Sequence, residues 1–127
     1  MSRRPQTLLI GLLALAAVTS ARATPTADAI EEVSYLLAFV EHSGCEFYRN
    51  GTWYDSKKAR AHLQSKYEIL AAKGRINSAE EFIDRVATAS SVSGQPYQVR
   101  CIDGEPRTSS QWLRNALDEY RLRSAPR

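Results

Sequence analysis

The chain has 127 residues, with 17 Lys and Arg against 14 Asp and Glu, for a formal net charge of +3 at pH 7. That length suits one hydrophobic core and is too short for two. Arg3, Arg4 and Arg22 account for the whole basic surplus and lie in a segment that reads as removable, so the pI near 9.0 leaves no nucleic-acid footprint on the mature chain.

That segment comes first. Arg3-Arg4 precede an unbroken apolar run from Leu8 to Val18, and Ala21-Arg22-Ala23 puts small side chains at both positions a signal peptidase reads. The pattern predicts a cleavable signal peptide over residues 1–23, cut after Ala23, and a single globular domain over 24–127. The run falls short of the roughly 20 residues that cross a bilayer, so no stable membrane insertion is expected. Pro5-Gln6-Thr7 lack the hydrophobic follow-up of a twin-arginine signal, which favours the general secretory route, and no cysteine follows the leader to accept a lipid. The mature chain is expected outside the cytoplasm.

From Ala27 to Ser43, Ile30, Val33, Leu37 and Val40 recur at helical steps, with Leu36 widening the stripe. Asp28 and Glu31 resemble a capping box, and Gly44 suits a left-handed helix end. Asn50-Gly51 then separates Phe47-Tyr48-Arg49 from Thr52-Trp53-Tyr54, the pattern of a hairpin closed by a type I′ turn. Asp55 or Ser56 caps a second helix that reaches about Lys73, with Ala59, Leu63, Tyr67 and Leu70 on its apolar side and Gly74 at its end. Ser78 and Glu81 box the start of a third, carrying Phe82, Ile83, Val86 and Ala87 and ending near Ser90. Tyr97 to Ile102 alternates as a strand with Tyr97, Val99 and Cys101 on one side, placed to pair with the hairpin near Cys45. Ser109 or Ser110 caps a last helix with Trp112, Leu113, Ala116, Leu117 and Tyr120 on one face. The expected fold is α+β, mainly α, with about four helices around a short antiparallel hairpin and one further strand.

Cys45 and Cys101 are the two cysteines, and in an oxidising compartment an even count reads as a disulfide. Closing a loop of roughly 57 residues lowers the entropy of the unfolded chain by the equivalent of roughly 4 kcal/mol. Neither cysteine sits in a catalytic motif, and with two His they match no zinc spacing, so no metal and no other cofactor is expected.

Several polar groups are candidates for a site. His62 and Lys66 stand four apart on one helix face, as a proton-transfer pair, an anion site or a solvated surface. Arg49 and Asn50 at the hairpin tip offer a guanidinium beside a tight turn, suited to carboxylate or phosphate and equally well explained as plain turn chemistry. The stretch Ala89 to Tyr97 is dense in hydroxyls, with Ser90, Ser91 and Ser93, between a helix and a strand. Its Ser93-Gly94-Gln95-Pro96-Tyr97 also resembles a loop that some periplasmic lysozyme inhibitors, which are β-barrels, insert into their enzyme.

Taken together, Phe47-Tyr48-Arg49-Asn50-Gly51, Ala61-His62-Leu63 with Lys66, Ala79-Glu80-Glu81-Phe82-Ile83-Asp84 with Val86-Ala87, and Ser90 through Tyr97 resemble the YfeK-like family, small exported proteins of Gram-negative bacteria with a domain of unknown function. Where that pattern has a basic residue between Gly and Pro, this chain has Gln95. The resemblance implies a periplasmic address and supplies no catalytic residue. The leading expectation is a non-enzymatic, disulfide-stabilised module that binds an envelope protein or glycan through Arg49, Asn50, His62, Lys66, Ser90, Ser91, Ser93 and Tyr97. The alternative is a small cell-wall or ester hydrolase that activates Ser91 or Ser93 with His62.

Overall fold

A computed structural model describes residues 2–7, 9–17 and 25–126. The predicted cleavage position after Ala23 lies outside the described residues, as do Leu8 and Val18 at the ends of the apolar run. The described residues ahead of Pro25 form no regular element, and Leu9, Ile10, Leu12, Leu13 and Leu15 stand almost fully exposed, apart from the core.

Four helices and four short strands follow in the order α1 (Ala27–His42), β1 (Glu46–Arg49), β2 (Thr52–Tyr54), α2 (Ser56–Ala72), α3 (Ala79–Arg85), β3 (Gln98–Arg100), β4 (Arg107–Thr108) and α4 (Ser109–Ser124). The strands make one antiparallel sheet in the order β2-β1-β3-β4. The mainly helical α+β expectation holds.

α1 is capped two residues earlier than the capping-box reading: the cap is Thr26, whose Oγ1 accepts the Ala29 N–H at 3.1 Å, and not Asp28. Asp28 instead lies in the first turn, where its negative charge meets the positive end of the helix dipole. The stripe rotates accordingly, burying Ala29 and leaving Ile30 about half exposed. Asn50 and Gly51 take φ of 48° and 89°, the two positive values a type I′ turn requires. β1 and β2 pair with Phe47 opposite Tyr54 and Tyr48 opposite Trp53.

α2 is capped by Asp55, which accepts the Lys58 N–H at 2.8 Å. α3 is capped by Ser78 as expected but ends at Arg85 instead of near Ser90. Its last turn closes when the Thr88 hydroxyl donates to the Ile83 carbonyl at 2.7 Å, and Ala89 then bridges Pro96 across the serine-rich loop. Val86 and Ala87 remain fully buried just beyond the helix, so the apolar period continued where the helix did not. The strand expected over Tyr97–Ile102 is confined to Gln98–Arg100, with Tyr97 and Val99 buried on its inner side. β4 had no counterpart in the sequence reading. α4 is capped by Thr108, which accepts the Gln111 N–H at 3.4 Å, and Ser109, one of the two expected caps, is buried.

The core lies between the helices and the inner face of the sheet, centred on Leu36, Val40, Phe82, Ile83, Val86, Val99 and Leu113. Aromatic contacts join α1 to α4, with Tyr35 stacked on Tyr120 at 4.3 Å and Phe39 against Trp112 at 4.7 Å, while Phe47 meets the edge of the same indole at 5.5 Å. Arg121 pairs with Glu32 of α1 and Glu80 of α3, and Arg114 with Asp84. The basic face of α4 is therefore partly a set of ties between helices. The disulfide joins Cys45, just before β1, to Cys101, just after β3, with Cα atoms 4.3 Å apart.

Candidate functional site

Side chains alternate across a strand, so Phe47 and Arg49 of β1 share the inner face of the sheet with Tyr54, the partner of Phe47, and with Tyr97 and Val99. α2 runs beneath that face and presents Lys58, Ala59, His62 and Leu63 to it. Between them lies a cleft of about 140 Å³. Phe47, Tyr54 and Tyr97 form its aromatic wall, Ala59 and Leu63 its apolar floor, and Arg49, Lys58 and His62 its polar edge, with Ser109 and Tyr48 completing the lining.

Of the residues singled out by sequence, Arg49, His62 and Tyr97 line this cleft, and Lys66 joins it from the next turn of α2. The Lys66 ammonium donates to the Ala89 carbonyl at 2.8 Å and to the Tyr97 hydroxyl at 3.5 Å, and sits 5.3 Å from the centre of the Tyr97 ring. The same hydroxyl is 3.2 Å from His62 Nε2. An ammonium can only donate, so the phenol oxygen accepts from Lys66, and the direction of its bond to His62 follows the imidazole tautomer. Burial, then the Arg49 charge, then the Lys66 charge hold His62 below the usual histidine range. Burial and Arg49 also lower Lys66. Burial pushes the Tyr97 phenol up, with the Arg49 guanidinium pulling the other way.

Arg49 is the electrostatic centre of the group. Its Nε is buried and meets no hydrogen-bond partner among the described residues. No carboxylate lines the cleft, and among the described residues the ion pairs involve other cations than Arg49, Lys58 and Lys66.

Asn50, Ser90 and Ser93 form a neighbouring cluster with a different task. The Asn50 amide nitrogen donates to Ser90 Oγ at 3.0 Å, and its carbonyl oxygen accepts from Ser93 Oγ at 2.5 Å. Ser90 Oγ also accepts the backbone N–H groups of Val92 and Ser93. These bonds lock the hairpin tip to the serine-rich loop. Ser91 is exposed and stands outside both groups. Within the described hydrogen bonds no serine reaches His62, whose Nε2 is held by Tyr97.

Lys58 escaped the sequence reading, although Lys58, His62 and Lys66 recur every four residues and so stack along one helix face. Tyr54 and Phe47 were read as hairpin residues only, because a period-2 pattern names a face without saying what lies across from it.

A mainly helical α+β unit with one disulfide and an aromatic, cation-edged cleft between sheet and helix defines a class of small protein, and it contains no group that by itself dictates a reaction. Residues 27–121 match the family described as "Family of unknown function (DUF5329)", and the chain belongs to that family. It is 39% identical over 62 residues to "Uncharacterized protein YfeK" of Salmonella typhimurium strain LT2, an alignment that covers 49% of this chain. The chain spans about half, 50%, of the length of that curated relative. No solved structure matches.

Proposed function

We propose that the protein is exported to the periplasm and acts there as a non-enzymatic binding module for another envelope component, with the cleft between the sheet and α2 as its binding surface. The convergence of Arg49, His62 and Tyr97 on one cleft, with Lys66 behind them, carries this reading. Export is supported by two observations. A Cys45–Cys101 bridge belongs to an oxidising compartment, and the apolar leader residues stand in water instead of in the core. Among the described residues no helix is long and apolar enough to cross a membrane.

The hydrolase alternative finds less support. Its serine must give a proton to a base within direct or one-water reach, and here the Ser93 hydroxyl is spent on Asn50 while His62 is spent on Tyr97. A photo-reactive phenylalanine at Tyr54, on the cleft wall, tests the binding reading in living cells. A discrete adduct on processed, periplasmic protein is expected there and not from the same group at Leu122, which is exposed on α4. Unprocessed cytosolic protein, or irradiation that yields no adduct from the cleft, would overturn it.

A further inference from the structure

Resting on the reading of this cleft as a binding surface, we infer that it recognises a carboxylate joined to a ring-sized apolar body, with Arg49 and Lys58 meeting the carboxylate and Phe47, Tyr54 and Tyr97 enclosing the ring. Size comes first. A cleft of about 140 Å³ is close to the roughly 150 Å³ cavity that takes a benzene ring, so one ring fits and a longer chain must trail into solvent.

Charge comes second. Arg49 and Lys58 bring two cations to the edge, and Lys66 brings a third within contact of Tyr97, and among the described residues none of the three has a carboxylate partner. Elsewhere Arg60, Arg85, Arg100, Arg114 and Arg121 find acidic partners, and Lys57, Lys73, Arg75, Arg107 and Arg123, which do not, are all exposed, so among the described residues of the folded domain Arg49 and Lys66 stand apart as half-buried cations without an ion pair. Arg49 also holds a buried Nε–H that meets no acceptor among the described residues, and a buried donor without a partner carries a desolvation cost that an incoming acceptor offsets. A planar guanidinium is matched by a planar carboxylate.

The walls decide between anions. Phe47, Ala59, Leu63 and Tyr97 strip water from one side of the occupant, which a singly charged group attached to an apolar body withstands better than a doubly charged phosphate. Burial is the larger cause of the depressed basicity of His62, and the smaller share from the Arg49 and Lys66 charges agrees with a site whose positive charge is not balanced.

Benzoate and its neutral isostere benzamide are the probes, titrated into the oxidised, leader-free protein and followed by amide and imidazole NMR shifts. Benzoate should bind at least about tenfold more tightly than benzamide, move the signals of Arg49, His62 and Tyr97, and raise the His62 midpoint, a response that packing alone would not produce. Arg49→Gln should abolish most of that preference while the thermal midpoint stays within a few degrees, and Lys58→Gln should reduce it without touching the core. Equal binding of the two probes, shifts confined to other surfaces, or inorganic phosphate displacing benzoate at equal concentration would overturn the inference. The Tyr54 cross-link reads use of the cleft without reference to charge. A cross-link with no preference for benzoate therefore removes the ligand class alone, whereas selective benzoate binding with no cross-link removes the envelope-partner reading and leaves an anion pocket.

Discussion

Reducing the disulfide is the perturbation whose size follows most directly from the structure. Cys45 and Cys101 lie 56 positions apart, and releasing a loop of that length from the denatured ensemble costs about 4 kcal/mol of stability. A domain of this size has only about 5–15 kcal/mol in total, so the reduced protein should be marginal, with a thermal midpoint lower by roughly 15–30 °C. Urea unfolding of the wild-type protein with and without a reductant isolates the effect, since the two samples share every side chain. The slope of stability against urea should steepen on reduction, because the reduced denatured chain expands and exposes more surface. Cys45→Ala with Cys101→Ala should reproduce the loss with a small additional packing penalty, Cys45 being buried. A loss below about 1 kcal/mol with an unchanged slope would show that β1 and β3 hold their contact in the unfolded ensemble without the sulfur bridge, and the chain-entropy reasoning would fail.

Four further outcomes are expected. Phe82→Ala, which empties a fully buried site against the edge of Tyr67, should cost about 3–5 kcal/mol by urea unfolding. Ser78→Ala and Thr108→Ala should each cost about 1 kcal/mol, whereas Ser110→Ala should cost under half of that, because the hydroxyls that accept the first helical N–H groups belong to the former pair. His62 titrates below its unfolded value of 6.5, so the unfolded chain binds more protons between the two midpoints; stability should fall as pH drops through 6.5 and level off below the folded midpoint, and His62→Gln should flatten that part of a Tm-versus-pH curve. Arg49→Leu should raise the His62 and Lys66 midpoints measured by NMR, since the guanidinium contributes to the depression of both.

The parts of this fold that were legible in the sequence are those in which one local rule has no competitor. Asn50-Gly51 fixes a turn because both positions need positive φ, and Ser78 fixes a helix start because Glu81 and the apolar run after it agree. The end of α3 was not legible. Val86 and Ala87 satisfy the helical period, but burial after the helix requires apolar residues as much as burial within it, and the Ile83 carbonyl that ends the helix is shared by the Ala87 N–H and the Thr88 hydroxyl, a side-chain bond that periodicity does not report. Helix caps were misplaced by a step where adjacent candidates were chemically equivalent, as with Thr108 beside Ser109 and Ser110. β4 is two exposed residues held by pairing with β3, and nothing local in Arg107-Thr108 announces it. For the site, the residue types were visible but their grouping was not: Asn50, Ser90 and Ser93 turned out to bind one another, and Arg49, His62, Lys66 and Tyr97 formed a separate set, a division that depends on which side of the sheet each strand residue takes.

The two-pronged grip of the Asn50 amide on Ser90 and Ser93 has a mechanical meaning. It welds the hairpin to the loop that leads into β3, and the sulfur bridge fastens the opposite end of the same strands, so the upper jaw of the cleft is a single stiff plate. Any widening to admit a guest must come from the lower jaw, through a shift of α2, whose start is tethered to the end of α1 by the Ser56 hydroxyl on the Glu41 carbonyl at 2.9 Å. Along its length α2 is further held by the Arg60–Glu41 ion pair, the His62–Tyr97 bond and the Lys66 clasp on Ala89, so a shift of the helix has to loosen several ties at once.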